Sequence, residues 1–215
     1  MLRNQNNTSR DASEVTTENA RSASPVTTGA SDSGPEEYFL IPTIVILGPT
    51  GSGKTGVSIQ IAKKIGGEII SADSRAIYKG MDIGTAKPTK DEMAGVPHYG
   101  IDLVNPGERF TVADWKKYAE TKIKEIRVRN KIPIIVGGTG LYIDALIYDY
   151  KFKGPTGEKI GDFEQKSCSD RQKIKGNYLI IGVKCDQKVL RERLKLRINQ
   201  MFSKELYDET ISLAK

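Results

Sequence analysis

The sequence predicts an α/β protein, a three-layer fold built on a parallel sheet, from three observations. Short, nearly continuous apolar runs alternate with stretches of helical periodicity, the first run leads directly into a glycine-rich loop and a helix, and no internal repeat interrupts the alternation. A continuous apolar run, unlike an in-out alternation, marks a strand covered on both faces, which is what a parallel sheet between helical layers requires.

The chain divides into residues 1–38, 39–185 and 186–215. Residues 1–38 are dominated by Ser, Thr, Asn, Ala and charged side chains. They hold too little apolar surface to offset the entropy of ordering, and are read as a disordered tail. Acids scattered through it, Asp11, Glu14, Glu18 and Asp32 among them, set it apart from an organellar transit peptide, which is poor in acids.

Residues 39–185 read as the folded core. Ile44, Val45, Ile46 and Leu47 make the first central strand. Val57, Ile59, Ile61, Ala62 and Ile65 follow at helical spacing, and Gly66 and Gly67 stop that helix. Residues 68–71 form a second short strand and residues 112–128 a helix, with Trp115, Tyr118, Ile123 and Ile126 as candidate core contacts. Residues 133–136 are another buried strand, 141–147 a helix and 177–183 a fourth strand. In residues 186–215, Val189, Leu190, Leu194, Ile198, Met201 and Leu206 predict one long helix or two.

Charge and rare residues narrow the function classes. Lys plus Arg number 33 against 27 Asp plus Glu, a net +6 that suits a polyanionic partner without requiring one. The two cysteines, Cys168 and Cys185, and the single histidine, His98, have no metal-ligand spacing, which argues against a disulfide framework or a structural zinc site. No apolar run is long enough to cross a bilayer and no secretory signal is visible, so a cytoplasmic protein with no membrane partner is expected.

The strongest chemical signal is Gly48-Pro49-Thr50-Gly51-Ser52-Gly53-Lys54-Thr55, which fits G-x-x-x-x-G-K-[ST] between a buried strand and a helix start. Glycines let successive backbone N–H groups turn inward around phosphate oxygens, and the helix N-terminus adds positive potential. Lys54 neutralises phosphate charge, and Thr55 is the candidate ligand for Mg²⁺. The ligand is therefore a diphosphate or triphosphate and the fold P-loop NTPase-like. Asp73 ends the second strand, where a parallel sheet turns its loops into the ligand crevice. A carboxylate there suits a metal ligand or a general base, and equally a cap for the following turn.

Residues 71–88, Ser71-Ala72-Asp73-Ser74-Arg75-Ala76-Ile77-Tyr78-Lys79-Gly80-Met81-Asp82-Ile83-Gly84-Thr85-Ala86-Lys87-Pro88, resemble the signature of tRNA dimethylallyltransferases, the IPP transferase family. The phosphate loop, Pro97-His98-Tyr99-Gly100-Ile101-Asp102, Phe110-Thr111-Val112-Ala113-Asp114-Trp115 and Gly137-Gly138-Thr139-Gly140-Leu141-Tyr142 resemble it too, in order, from about Pro42 to Ile147. The resemblance implies that the phosphate loop holds dimethylallyl diphosphate. It implies that the partner is the anticodon arm of a tRNA, with the acceptor adenosine beside the anticodon flipped from its stack, as chemistry on a base edge requires. It makes Asp73 the contact to the adenine N6 amine, lets Ser74, Arg75 and Ala76 border the tRNA, and brings Thr139 near the flipped nucleotide. Thr139 also suits the N-cap of the helix that follows. Arg193 matches the first arginine of a late R-[IL]-x-x-R-x-x-x-M helix and would meet the diphosphate, whose oxygens a guanidinium fork binds in pairs. Arg191 and Arg197 suit a solvated basic face equally well, and His98 reads as structural.

The expected activity is transfer of a dimethylallyl group to N6 of that adenosine by a monomer, with Asp73, Thr55 and Arg193 as the catalytic set. Family members carry a longer helical insertion where this chain has the lysine-rich residues 151–176, and they continue past the position of Lys215, so a reduced or absent insertion and a shortened RNA clasp are expected. Three other readings stay open: prenylation of a free adenine nucleotide, a small-molecule P-loop kinase, and a catalytically impaired remnant.

Overall fold

The computed structural model describes residues 15–16, 41–152, 174–203 and 206–214. Strands are β1 (Val15–Thr16), β2 (Thr43–Leu47), β3 (Gly67–Ala72), β4 (His98–Tyr99), β5 (Ile132–Gly137) and β6 (Tyr178–Val183). Helices are α1 (Lys54–Ile65), α2 (Lys90–Met93), α3 (Val112–Val128), α4 (Gly140–Ile147), α5 (Gln187–Ser203) and α6 (Leu206–Leu213). Of the segment expected to be a disordered tail, Val15–Thr16 form an edge strand, and the rest of residues 1–38 lies outside the described residues. The stretch read as replacing the helical insertion lies mostly outside them as well, since residues 153–173 are not described.

The sheet runs β1-β6-β2-β5-β3-β4. From β6 to β4 every neighbouring pair is parallel, and only β1 is antiparallel, on the edge beside β6. Alternate residues of each central strand feed two cores. Val45, Ile70, Ala72 and Ile135 point to one face and pack with Trp115, Ala119, Ile123 and Ile126 of α3 and Tyr142, Ile143, Leu146 and Ile147 of α4. Ile44, Ile46, Ile69, Ile134 and Val136 point to the other and pack with Ile59 and Ala62 of α1. This is the three-layer arrangement that the continuous apolar runs predict.

Local chemistry sets the helix limits. α1 stops at Gly66, whose φ of 66° is the left-handed C-cap that a residue without a Cβ adopts at little cost. α3 begins with a capping box in which the Thr111 side chain accepts from the Asp114 N–H and the Asp114 carboxylate accepts from the Thr111 N–H at 2.8 Å. Trp115 then stacks on Tyr142, ring centroids 4.7 Å apart, and donates its indole N–H to the Ser71 carbonyl at 3.0 Å, locking α3 to α4 and to β3. The one long helix or two expected after residue 186 are α5 and α6, and they lie outside both cores. Neither helix has a buried residue, and Ile198, Phe202 and Ile211 are exposed.

One close approach fixes the level of the strand ends. Gly137 lies opposite both Leu47 and Ala72, and a Cβ on it would press on the Ala72 carbonyl and stand 2.7 Å from the Ala72 Cβ. Gly137→Ala is therefore expected to lower unfolding stability by at least the ~1–3 kcal/mol typical of overpacking, because backbone rather than a flexible side chain must give way. Urea titration measures it, and an unchanged midpoint would show that β3 and β5 can part there without cost.

Candidate functional site

Because the central strands are parallel and in register, their carboxyl ends form one edge. Leu47 is opposite Gly137 and Gly182, and Gly137 is opposite Ala72. The phosphate loop, the Asp73 turn, Gly138 with Thr139, and the connection from Val183 into α5 thus leave the sheet side by side, where such sheets open a ligand crevice. A cavity of about 660 Å³ lies there, lined by loop residues from Thr50 to Thr55 and by Asp73, Lys87, His98, Arg193 and Arg197.

The loop has the conformation its glycines permit, with φ of 82° at Gly51 and 91° at Gly53, the N-cap of α1. Lys54 Nζ folds back to donate to the Pro49 carbonyl at 2.7 Å, and Thr55 and Thr50 are exposed on the cavity wall. Ser52 is buried beneath the loop, and its hydroxyl has no hydrogen-bond partner among the described residues. Burial holds the Lys54 ammonium below its ordinary pKa. The Asp73 carboxylate opposes that shift and the Arg197 guanidinium adds to it. Four cations, Lys54, Lys87, Arg193 and Arg197, and one acid, Asp73, therefore share the cavity, and of the cations Lys87 is already paired with Asp82 and Asp102.

Asp73 sits directly after β3. Its Oδ1 accepts the Arg75 N–H at 2.8 Å, so it does cap the turn, and the capping fixes its orientation while it lines the cavity. Ser74 and Thr139 join across the strand ends. The Ser74 N–H donates to Thr139 Oγ1 at 3.1 Å, and that hydroxyl donates to Ser74 Oγ at 3.4 Å. Thr139 stands at the N-cap position of α4 but makes no side-chain cap bond, its hydroxyl being turned to Ser74 instead. Arg75 is exposed, whereas Ala76 is buried at 4 % exposure and lines the cavity, and its carbonyl accepts the Asp102 N–H at 3.1 Å.

The sequence reading left several cavity residues unassigned. Lys87, inside the signature segment, has a side chain only 5 % exposed and ties the loop together by donating to the Tyr78 carbonyl and to the carboxylates of Asp82 and Asp102. Arg197 faces the cavity rather than solvent alone, with Leu196 and Gln200 beside it. Arg193 lines the same wall, its Nη1 3.9 Å from Cys185 Sγ. His98 reaches the cavity too; Nδ1 contacts the Val96 carbonyl at 2.8 Å while Nε2 is buried without a partner, and burial lowers its pKa against the pull of that carbonyl.

The family model for IPP transferase matches residues 76–159 and 154–215. The chain belongs to the IPP transferase family. The tRNA dimethylallyltransferase of Staphylococcus haemolyticus is 56% identical over 131 residues, 61% of this chain and 39% of that relative. That of Bacillus subtilis is 48% identical over 131 residues, again 61% of this chain and 42% of the relative, so the chain spans about two fifths of the length of these curated relatives. Among solved structures, the tRNA isopentenylpyrophosphate transferase of Staphylococcus epidermidis superposes with a TM-score of 0.68 at 35% identity, covering 80% of this chain and 73% of that one. A eukaryotic dimethylallyltransferase described as acting on tRNA shares the fold with a TM-score of 0.71 at 24% identity, over 80% of this chain and 56% of that one. The P-loop NTPase-like fold class read from the sequence is that of this IPP transferase chain. Among the described residues no helix is long and apolar enough to cross a membrane.

The Ser74–Thr139 contact yields a check on the site's rigidity. Thr139→Val removes the acceptor of a half-buried N–H and should cost about 1–3 kcal/mol in chemical denaturation, whereas Thr139→Ser should stay near wild type. Equal losses for both would assign the effect to the methyl group instead.

Proposed function

We propose that this IPP transferase chain moves a dimethylallyl group from dimethylallyl diphosphate to N6 of the adenosine beside the anticodon of a tRNA. The observation that supports it best is that the phosphate loop with Lys54, the arginines Arg193 and Arg197, and the fixed carboxylate of Asp73 all line one cavity. A kinase reading would need an adenine pocket of its own, whereas a leaving diphosphate and a proton acceptor in one cavity are what an allylic transfer needs.

Backbone N–H groups of residues 50–54, Lys54 and Ser52 would hold the diphosphate, with Arg193 and Arg197 closing over it. The N6 lone pair attacks C1 of the allyl group, the C1–O bond breaks, and its electron pair leaves on the diphosphate. The N6 proton passes to the Asp73 carboxylate. Resonance disperses charge over the allyl carbons, so the transition state is loose, and the protein's main contribution is alignment and stabilisation of the departing charge. The oxygen donors present, the Thr55 hydroxyl and the Asp73 carboxylate, fit Mg²⁺, which characteristically takes one or two protein oxygens and completes its shell with phosphates and water. Mg²⁺ would supply neutralisation of the leaving diphosphate. The tRNA would lie against Ser74 and Arg75 with Thr139 near the flipped base, and the chain would act as a cytoplasmic monomer.

Incubation with labelled dimethylallyl diphosphate and unmodified tRNA, AMP or no acceptor tests the reading: label should enter tRNA only, and transfer to AMP alone or phosphoryl transfer from ATP would overturn it. Lys54→Ala should abolish diphosphate binding in calorimetry, because a charge-assisted contact and the focus of the loop's potential go together; unchanged binding would remove the loop from the site. Asp73→Asn should lower the single-turnover rate by roughly a hundredfold to ten-thousandfold with diphosphate binding retained, the usual reach of a general base. Full turnover by that variant would reduce Asp73 to a turn cap.

A further inference from the structure

The roof of the cavity is lightly attached. Arg193, Leu196, Arg197 and Gln200 of α5 face the cavity, yet no residue of α5 or α6 is buried. α5 touches the phosphate loop through Leu190 and Leu194, each 3.2 Å from where a Cβ of Gly51 would stand. A second, polar attachment lies on α6. The Glu209 carboxylate accepts three consecutive backbone N–H groups, from Asp82 at 2.8 Å and Ile83 at 2.7 Å through Oε2 and from Gly84 at 3.0 Å through Oε1. Successive N–H groups turned to one side form an anion-binding concavity, and here the chain supplies the anion itself.

Both sides of this contact are shaped for it. The receiving loop is stiffened by Lys87, which grips Tyr78, Asp82 and Asp102 at once. α6 packs against the loop at Gly84, where a Cβ would stand 3.3 Å from Leu206 Cδ1, and its Leu213 lies over Gly80. Burial alone would raise the Glu209 carboxyl, and the donors at Ile83, Gly84 and Asp82 more than offset it, leaving it below the usual carboxylate range. An ionised carboxylate with three N–H donors is a strong attachment for a helix with so little packing.

We infer that Glu209 is a positioning residue: by latching α6 to the backbone of residues 82–84 it holds the Arg193 and Arg197 side of α5 over the phosphate loop. It touches no substrate and acts through the arginines. The inference rests on the diphosphate reading of the cavity and adds to it a means of retention. It also ties the roof to the loop that begins at Asp73, so the wall that grips diphosphate and the wall that carries the proton acceptor are held as one unit.

The test is a double-mutant cycle in the full chain with inorganic pyrophosphate as probe, read by stopped-flow association and dissociation. Glu209→Gln is isosteric and should keep the thermal midpoint, while the loss of a charged acceptor should speed pyrophosphate dissociation about tenfold. In an Arg193→Ala background the same substitution should change dissociation less than about twofold, because the group it positions has been removed. A purely structural role would instead lower the midpoint and leave the two effects additive. Lys54-dependent binding that Glu209→Gln leaves intact, or additivity across the cycle, would overturn the latch alone. Absence of Lys54-dependent pyrophosphate binding in the wild-type chain would overturn the diphosphate reading and the latch with it.

Discussion

The side-chain-free approach of Gly137 to Ala72 sets the geometry on which the site depends. Parallel strands offer evenly spaced ladders, but where their ends fall relative to one another is a separate matter. Here β5 ends in a residue without a Cβ, flanked by Leu47 on one side and Ala72 on the other, and any larger residue would push the Ala72 carbonyl away. That level edge brings the phosphate loop, Asp73 and Thr139 out of the sheet at one height. The Thr139 N–H then reaches the Ala72 carbonyl at 3.3 Å and its hydroxyl reaches Ser74, so the turn that carries Asp73 is held from the neighbouring strand as well as by its own cap.

Charge in the cavity follows from that arrangement. Lys54 is partly desolvated and has a protein carbonyl as its hydrogen-bond acceptor, and the Arg197 guanidinium raises the cost of its charge further. The one acid that offsets this, Asp73, already has one oxygen engaged by the Arg75 N–H. A site with Lys54, Arg193 and Arg197 beside the paired Lys87 and a single, oriented carboxylate is complementary to a polyanion, and binding one would relieve the Lys54 penalty. It would also release Asp73 from its role as the cation's partner and leave the carboxylate to a second ligand. On the proposed reading, the same residue would serve as counter-charge before binding and as proton acceptor afterwards.

Much of this was legible in the sequence, and the reason differs from element to element. β2 and β5 stand out because a strand covered on both faces is a nearly continuous apolar run, β6 by a similar run although its Leu179 is exposed, and α3 is framed by Thr111 and by an apolar stripe ending at Ile126. The phosphate loop is legible because its backbone geometry needs glycine at fixed positions, among them Gly51 and Gly53 with positive φ. β4 has only two residues, too short for any periodicity to register, and α2 is a single turn whose signal is the Thr89–Glu92 capping box alone. Lys87 and Glu209 went unassigned because each acts on backbone far from it along the chain or on carboxylates set by tertiary folding, and nothing local distinguishes them from solvated charges. The helical spacing of the apolar residues after Asp186 correctly marks α5 and α6, and Leu190 and Leu194 of that stripe meet the phosphate loop while Val189, Ile198 and Phe202 are exposed.

The uneven burial separates two properties that usually travel together. Stability of the sheet rests on the two cores formed by the strands with α1, α3 and α4, whose largest buried side chains include Trp115, Ile46, Ile70 and Ile135. α5 and α6 add no buried side chain to either core, so their attachment contributes little to global unfolding and can be tuned by single polar contacts. Elements that must open and close around a ligand are drawn from this weakly held class, since an opening that exposed a core would be too slow and too costly to recur at each turnover. An ionic roof over a rigid phosphate loop follows the same logic, because backbone donors and guanidinium groups gain most when an anion is present beneath them and lose little when it is gone. The fold thus sets the strand ends level through the two cores and, on the proposed reading, would leave the site's occupancy to the weakly packed helices above.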